Sequence, residues 1–182
     1  MSSSELTPFS YAVLALVGKA GAGPHDIARM MREGQMIWTA ARSQYYAEPK
    51  RLERLGYLGS RKLPGQTTDR THYTLTRAGT RALKEWLAEP ARFSRIQAEP
   101  VVKLLAADFV DDAVILESLG ALREQIAGMR SQLEVAEGRA ADFGHRQRYL
   151  ALNHALARAL LEAHETWLDQ VERELGGEAQ TG

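Results

Sequence analysis

Apolar residues recur with a helical period through the first 55 positions, and proline and glycine mark where each predicted helix begins and ends. In the second of these helices, for example, Ile27, Met30 and Met31 fall on one face. The predicted helices and their end signals are Thr7-Pro8 to Gly18, Pro24 to Gly34, and Thr39 to Leu55 with Gly56 as the stop.

The period then changes to that of strands. Tyr57–Leu63 and Thr71–Leu75 read as two strands separated by the turn-rich loop PGQTTDR. Thr76 can cap the next helix, which Glu89-Pro90 closes. Three helices, a hairpin and a further helix in this order predict a winged helix-turn-helix.

A heptad pattern dominates the second half of the chain. Its seam, with spacings that alternate between four and three, is Ile115, Leu119, Leu122, Ile126, Met129, Leu133, Ala136 and Ala140. Gly144 ends this helix, and a final helix carries a second apolar stripe. Since a lone pair of helices buries little apolar surface, we expect a partner chain. The predicted homodimer interface consists of Ile115, Leu119, Leu122, Ile126, Met129, Leu133, Leu156 and Leu160.

These patterns predict a mainly α fold with a small β-hairpin, in two domains. Residues 1–90 form an N-terminal winged helix-turn-helix that binds DNA. Residues 91–182 form a C-terminal dimerisation domain of long helices, coiled-coil-like and helical from Ala98 nearly to the end. We expect the tail GGEAQTG to be disordered.

The net charge of zero conceals an uneven distribution. Residues 1–90 carry a net charge of +5 and residues 91–182 one of −5, while the segment 39–81 carries +6. A basic segment inside a neutral protein indicates a local site for a polyanion. The alternative interpretation is an ordinary solvated helix face.

Composition and motifs narrow the classes of function. The chain has no cysteine, so it has no disulfide and no thiolate metal site, and with no signal peptide or membrane-length apolar run we expect a cytoplasmic protein. Walker, HExxH and GxSxG motifs are absent, and the five histidines do not group at metal-ligand spacing. We therefore expect no enzyme, no metal and no cofactor.

The exposed face of the third helix and the hairpin supply the candidate DNA contacts. Arginine and lysine suit phosphates, arginine also reads guanine, and hydroxyl and amide groups reach phosphates or base edges. The candidate residues are Arg42, Ser43, Gln44, Tyr46, Lys50, Arg54, Arg61, Lys62 and Arg70.

Pro49 lies inside the third predicted helix. A helical period places it on the core side together with Tyr45 and Leu52. Because proline removes the hydrogen bond to the carbonyl of Tyr45, we predict a kink or loosened turn that tilts the N-terminal end of the helix. The alternative is a tolerated substitution that does not affect binding.

The chain resembles the PadR-type transcriptional regulators over nearly its whole length. The segments that carry the resemblance are FSYAVLALVGKAGAGPHDIARMM, SQYYAEPKRLERLGYLGSR, RTHYTLTRAGTRALKEWL, EPVVKLLAADF and NHALARALLEAHETWLDQ. The last two are similar to the longer members of the family, whose C-terminal helices form the dimer. Pro49 departs from this pattern, because most members have an aliphatic residue there.

The resemblance implies a homodimeric repressor that binds an inverted-repeat operator in double-stranded DNA. It also implies release of DNA on binding a small aromatic or drug-like effector, for which Trp167, Phe9 and Tyr11 are the candidate contacts, with Trp38 and Trp86 next. The alternative function is a protein–protein interaction module that uses the C-terminal helical hairpin and has no sequence-specific DNA binding.

Overall fold

The computed structural model describes residues 6–34, 40–64, 69–93 and 97–177, without the side chain of His145. The chain divides into two compact units between Phe93 and Ser94. We call the first the winged unit and the second the helical unit. The predicted cap Thr39, the candidate Trp38 and the tail after Gly177 lie outside the described residues.

The winged unit contains the predicted order of elements. These are α1 (Pro8–Val17), α2 (Pro24–Glu33), α3 (Arg42–Arg54), β1 (Leu58–Leu63), β2 (Arg70–Leu75) and α4 (Arg77–Ala88). The Thr7 and Thr76 caps are confirmed, since their hydroxyls accept from the amides of Ser10 and Gly79 at 3.2 and 3.0 Å. The N-cap of α3 is Ala41, and the Gln44 side chain accepts from the Ala41 amide at 3.1 Å.

The hairpin is extended by the turn between α1 and α2. β1 and β2 pair antiparallel from Leu58 opposite Leu75 to Leu63 opposite Arg70. Ala22 exchanges backbone hydrogen bonds of 3.0 and 2.9 Å with Tyr73, which the sequence did not predict. Gly21 makes this approach possible, because its φ is +77° and a Cβ there would collide with the ring of His72.

The core of the winged unit lies where its helices meet the hairpin. Leu14, Ile27, Leu52 and Leu58 are fully buried in one cluster with residues from α1, α2, α3 and both strands. At roughly 1.5–3 kcal/mol for each large apolar side chain removed from water, this cluster holds α3 in a fixed position on the unit.

The helical unit is built from α5 (Glu99–Leu105), α6 (Asp112–Arg139) and α7 (Gln147–Gly176), with 3₁₀ segments at Ala107–Phe109 and Ala140–Arg146. The chain is helical from Glu99 nearly to its end as predicted, with an additional break between Leu105 and Asp112 that contains the first 3₁₀ segment. The break at Gly144 is confirmed, and its φ of +48° suits glycine. Among the described residues, no helix is both long and apolar enough to cross a membrane.

α6 packs against α7, and this contact covers much of the predicted seam. Four of the residues predicted to form the dimer interface are already buried within the chain: Ile115, Leu119, Ile126 and Leu133. α7 returns along α6 and covers these four positions within the single chain, and the predicted dimer interface stays a prediction. Leu122 and Leu160 are half-buried, whereas Met129 and Leu156 are 37% and 54% exposed.

Candidate nucleic-acid interface

α3 presents one face to the core and the other to solvent. Tyr45, Pro49 and Leu52 are buried, which confirms the predicted placement of Pro49. The Tyr45 ring lies 6.2 Å from that of Phe9, so the buried face rests on α1. The kink at Pro49 stays a prediction.

A polar network also anchors α3 to the start of α1. The fully buried Ser10 hydroxyl donates to the Glu48 carboxylate at 2.7 Å, and Arg51 donates to Glu48 at 2.8 Å and to Ser10 at 3.0 Å. The hydrogen bond from Arg51, aided by that from Ser10, lowers the pKa of Glu48 against the effect of burial. The spacing of Glu48 and Arg51 could have signalled an ion pair in the sequence, but nothing local pointed to Ser10.

The opposite face of α3 carries the predicted DNA contacts. Arg42, Ser43, Gln44, Lys50 and Arg54 are exposed, whereas Tyr46 is half-buried. Two of the predicted side chains have additional structural partners. Gln44 caps the helix through its carbonyl oxygen, and the Tyr46 hydroxyl lies 3.4 Å from Nδ1 of His25 on α2.

The candidate residues of the hairpin do not share one face. Arg61 and Lys62 are neighbours in β1, so their side chains point to opposite sides of the strand. Lys62 donates to the Thr71 hydroxyl at 3.1 Å, and Arg61 lies opposite His72 in the strand register. Arg70 is exposed at the start of β2.

A groove of about 620 Å³ lies between α3 and the hairpin. It brings together three of the predicted DNA contacts, Lys50, Arg54 and Lys62. The lining is completed by Ala47 and Glu53 of α3 and by Ser60, Thr71 and Tyr73 of the hairpin. Sequence reasoning missed these residues, because only the folded chain places the hairpin beside α3.

Glu53 interacts with both strands of the hairpin that lines this groove. The Ser60 hydroxyl donates a short hydrogen bond to Oε1 of Glu53, which joins β1 directly to α3. Burial, and secondarily the negative charge of Glu53, raises the pKa of the Tyr73 hydroxyl. The groove thus combines cationic side chains and hydroxyl groups, a set that suits the phosphates of a nucleic acid.

The predicted effector contacts are divided between the two units. Tyr11 is 8% exposed and stacks on Trp86 with ring centroids 4.7 Å apart, which makes it a core residue of the winged unit. Phe9 is half-buried against the same core, and Trp167 is half-buried on α7. In the part of the chain that the structure describes, no group of histidine and acidic side chains could hold a metal ion.

No protein-family model and no curated protein matches the sequence. Solved structures match it over almost its full length. The PadR-like transcriptional regulator BC1756 from Bacillus cereus is 15% identical with a TM-score of 0.74, and the match covers 94% of this chain and 100% of that one. PadR from Bacillus subtilis in complex with operator DNA is 23% identical with a TM-score of 0.65, covering 91% and 99%. The virulence activator AphA from Vibrio cholerae is 21% identical with a TM-score of 0.69, covering 93% and 98%.

These neighbours confirm the predicted fold class, a winged helix-turn-helix followed by a domain of long helices. The resemblance to PadR-type regulators noted in the sequence is confirmed at the level of the fold. At these identities the likeness establishes the architecture, and function has to be argued from the site.

Proposed function

We propose that this chain is a PadR-type transcriptional regulator without enzymatic activity that binds double-stranded DNA in the cytoplasm. The observation that carries the proposal is the convergence of Lys50, Arg54 and Lys62 on the groove between α3 and the hairpin. The exposed N-terminal end of α3, with Arg42 and Ser43, would enter the major groove while the hairpin contacts the backbone. Bacillus subtilis PadR, of the same fold, is solved with operator DNA.

The exposed apolar residues of the helical unit support a homodimer. Among the described residues they lie on α5 and the 3₁₀ segment beside it, along α6, and on the first turns of α7: Val101, Val102, Leu105, Phe109, Val110, Val114, Met129, Val135, Tyr149, Leu152 and Leu156. Apolar surface of this extent calls for a partner, and a second copy related by a two-fold axis is the simplest one. These exposed residues, more than the buried positions of the α6 seam, are available for contact with a second copy.

Two winged units related by a two-fold axis suit an inverted repeat. Their recognition helices would occupy successive major grooves about 34–36 Å apart. We assign Lys50 to a phosphate and Arg42, at the start of α3, to a base.

A small aromatic effector would release the DNA, which makes the protein a repressor that responds to a ligand. Bacillus subtilis PadR is solved with p-coumaric acid, and the half-buried Trp167 is the candidate contact on this chain. Such a ligand has to bind the DNA-incompetent dimer more tightly, because equal affinity for both states shifts nothing. Quenching of tryptophan fluorescence by a ligand that releases DNA, and its loss in Trp167→Phe, tests this assignment.

DNA binding is tested by titrating the protein with its own upstream DNA and with scrambled DNA at several salt concentrations. Lys50→Ala is expected to weaken binding to both, and to lower the slope of log K against log salt by about 2 per dimer. Arg42→Ala is expected to flatten the preference among operator variants by about 1–3 kcal/mol per half-site. Lys84→Ala, an exposed lysine on α4, is the matched control.

The alternative is an interaction module that uses the helical hairpin. It predicts that the wild type shows no preference for its upstream DNA and that Lys50→Ala behaves like Lys84→Ala. That result would contradict the regulator proposal.

A further inference from the structure

The groove between α3 and the hairpin contains a carboxylate. A phosphate site is not expected to have one, because the two negative charges repel each other. Among the described residues that line it, Glu53 is the only acidic side chain. Within the described residues, Glu53 is not ion-paired at 4.0 Å or less with any of the three cations of the groove, Lys50, Arg54 and Lys62. Its charge therefore has a different role from that of Glu48, which is paired with Arg51 on the core side of the same helix.

The carboxylate of Glu53 is directed at the hairpin. Ser60 of β1 donates to it, and its charge contributes to the raised pKa of the buried Tyr73 hydroxyl on β2. The hydrogen bond connects α3 to β1 without bringing an opposing charge to the carboxylate, because a hydroxyl donor carries none.

This connection lies between the two sets of cations. Lys50 and Arg54 flank Glu53 on α3, and Lys62 follows Ser60 by two residues in β1, on the same face of the strand. The hydrogen bond from Ser60 to Glu53 therefore joins the part of β1 that carries the hairpin cation to the part of α3 that carries the other two.

We propose that Glu53 is a positioning residue for phosphate binding, which holds β1 against α3 so that Lys50, Arg54 and Lys62 face the same stretch of DNA backbone. The proposal rests on the proposed DNA-binding function. It adds a residue that affects phosphate binding through the position of other side chains. The hydrogen bond improves the geometry, and the carboxylate repels the phosphate, so the two effects oppose each other and can be separated by substitution.

Three variants separate them. Ser60→Ala removes the hydrogen bond and keeps the charge, so it is expected to weaken binding to operator and scrambled DNA alike and to lower the salt slope by up to about 2 per dimer. Glu53→Gln keeps an acceptor for Ser60 and removes the charge, so it is expected to tighten binding about two- to fivefold, less at high salt. In a Glu53→Ala background Ser60→Ala is expected to have no further effect, which excludes a direct phosphate contact by Ser60.

The position of the hairpin is measured without DNA. Since the chain has no cysteine, Ala47→Cys and Arg61→Cys can be spin-labelled specifically and the distance between the labels recorded. Ser60→Ala is expected to broaden this distance distribution, and Glu53→Gln is expected to leave it narrow. Glu85→Gln, the same loss of charge on the exposed face of α4, is the control for both measurements.

An unchanged distance distribution in Ser60→Ala would overturn the positioning role, whatever the DNA measurements give. Equal effects of Glu53→Gln and Glu85→Gln on binding would overturn the local repulsion. A wild type that binds no DNA, with the distance effect present, would instead contradict the proposed regulator function and leave the Glu53–Ser60 connection as a structural one.

Discussion

The winged unit and the helical unit bury their apolar residues differently. In the winged unit, large side chains such as Leu14, Ile27 and Leu52 are completely buried by residues of the same unit. In the helical unit, α5 is fully described and buries none of its residues, while Phe109 and Leu152 are 85% and 66% exposed. The first unit can fold around its own core, and the second has an apolar surface left for a partner.

In the helical unit, ion pairs connect α6 to α7 in addition to the apolar contacts. Arg123 donates to Asp169 and Glu172 at 2.6 and 2.7 Å, Arg130 pairs with Glu165, and Arg158 pairs with Glu137 at 2.6 Å. The α6 members of these pairs, Arg123, Arg130 and Glu137, are seven positions apart. The α7 members Glu172, Glu165 and Arg158 have the same spacing. The hydrogen bonds from Arg123 lower the pKa of Glu172.

The third pair in this series is reversed in sign. A slip of α7 by one heptad would place Arg130 opposite Arg158 in one direction, or Glu137 opposite Glu165 in the other. Because each slipped arrangement contains a like-charge pair, the order of charges disfavours a slip of the helical hairpin by one heptad. The winged unit needs no such device, since its interdigitated core already specifies the packing.

The largest expected effect is on the core of the winged unit. Leu52→Ala is expected to lower the free energy of unfolding by about 2–5 kcal/mol, because a fully buried side chain leaves a cavity next to Pro49. Leu87→Ala makes the same deletion at a position that is 67% exposed and is expected to change it by about 0.5 kcal/mol or less. Urea denaturation followed by circular dichroism measures both, and equal shifts would contradict the assignment of the core.

The next effect is on association of the helical units. Leu152→Lys with Leu156→Lys is expected to give folded monomers, with a dimer affinity reduced about 10–100-fold, because both side chains are exposed in the single chain. Ile126→Lys is expected to unfold the helical unit instead, since Ile126 is 4% exposed inside it.

Sedimentation equilibrium and circular dichroism distinguish these results. A double variant that remains dimeric at micromolar concentration would show that the interface lies elsewhere.

A smaller effect is expected from the reversed pair. Arg158→Glu places a second carboxylate beside that of Glu137. It is expected to lower the free energy of unfolding by about 0.2–1 kcal/mol, the range for partly exposed ion pairs. Adding Glu137→Arg restores an ion pair and is expected to recover that loss, but it permits the slipped register.

Spin labels on α6 and α7 report the register directly. A single distance in the charge-swapped double variant, as in the wild type, would mean that apolar packing alone specifies the alignment.

The smallest effect is on the acid stability of each unit. The pKa of Glu48 is lowered from its ordinary value near 4.5, mainly by the hydrogen bond from Arg51, so the ionised group stabilises the fold above that pH and the stabilisation is lost as the pH falls through the lower folded value. Glu172 has the same direction of shift, but its side chain is 49% exposed whereas that of Glu48 is 12% exposed. Glu48→Gln is therefore expected to flatten the loss of stability between about pH 5 and 3 more than Glu172→Gln does. Urea midpoints at a series of pH values measure both, and the opposite order would contradict the ranking of the two sites.

Local signals predicted most of the fold. Caps and breakers such as Thr7, Thr76 and Gly144 act within one turn of the chain, so their residue types alone locate helix ends. The strands and the buried face of α3 followed equally from period, because side-chain direction repeats with the local backbone. The break after Leu105 was missed, since the residues that follow it carry no proline or glycine.

The candidate site was predicted only in part, for a physical reason. The sequence by itself determined that basic side chains lie on one face of α3 and along the hairpin, because that requires only helical and strand periods. Which of them meet was decided by the tertiary structure, which brings Lys50, Arg54 and Lys62 to one groove. The hydrogen bonds from Ser60 to Glu53 and from Ser10 to Glu48 also depend on the tertiary structure, because each joins two different elements. The bond from Ser10 spans 38 positions of the chain. A contact between distant residues depends on how the elements pack, and no local pattern of residue types encodes that packing.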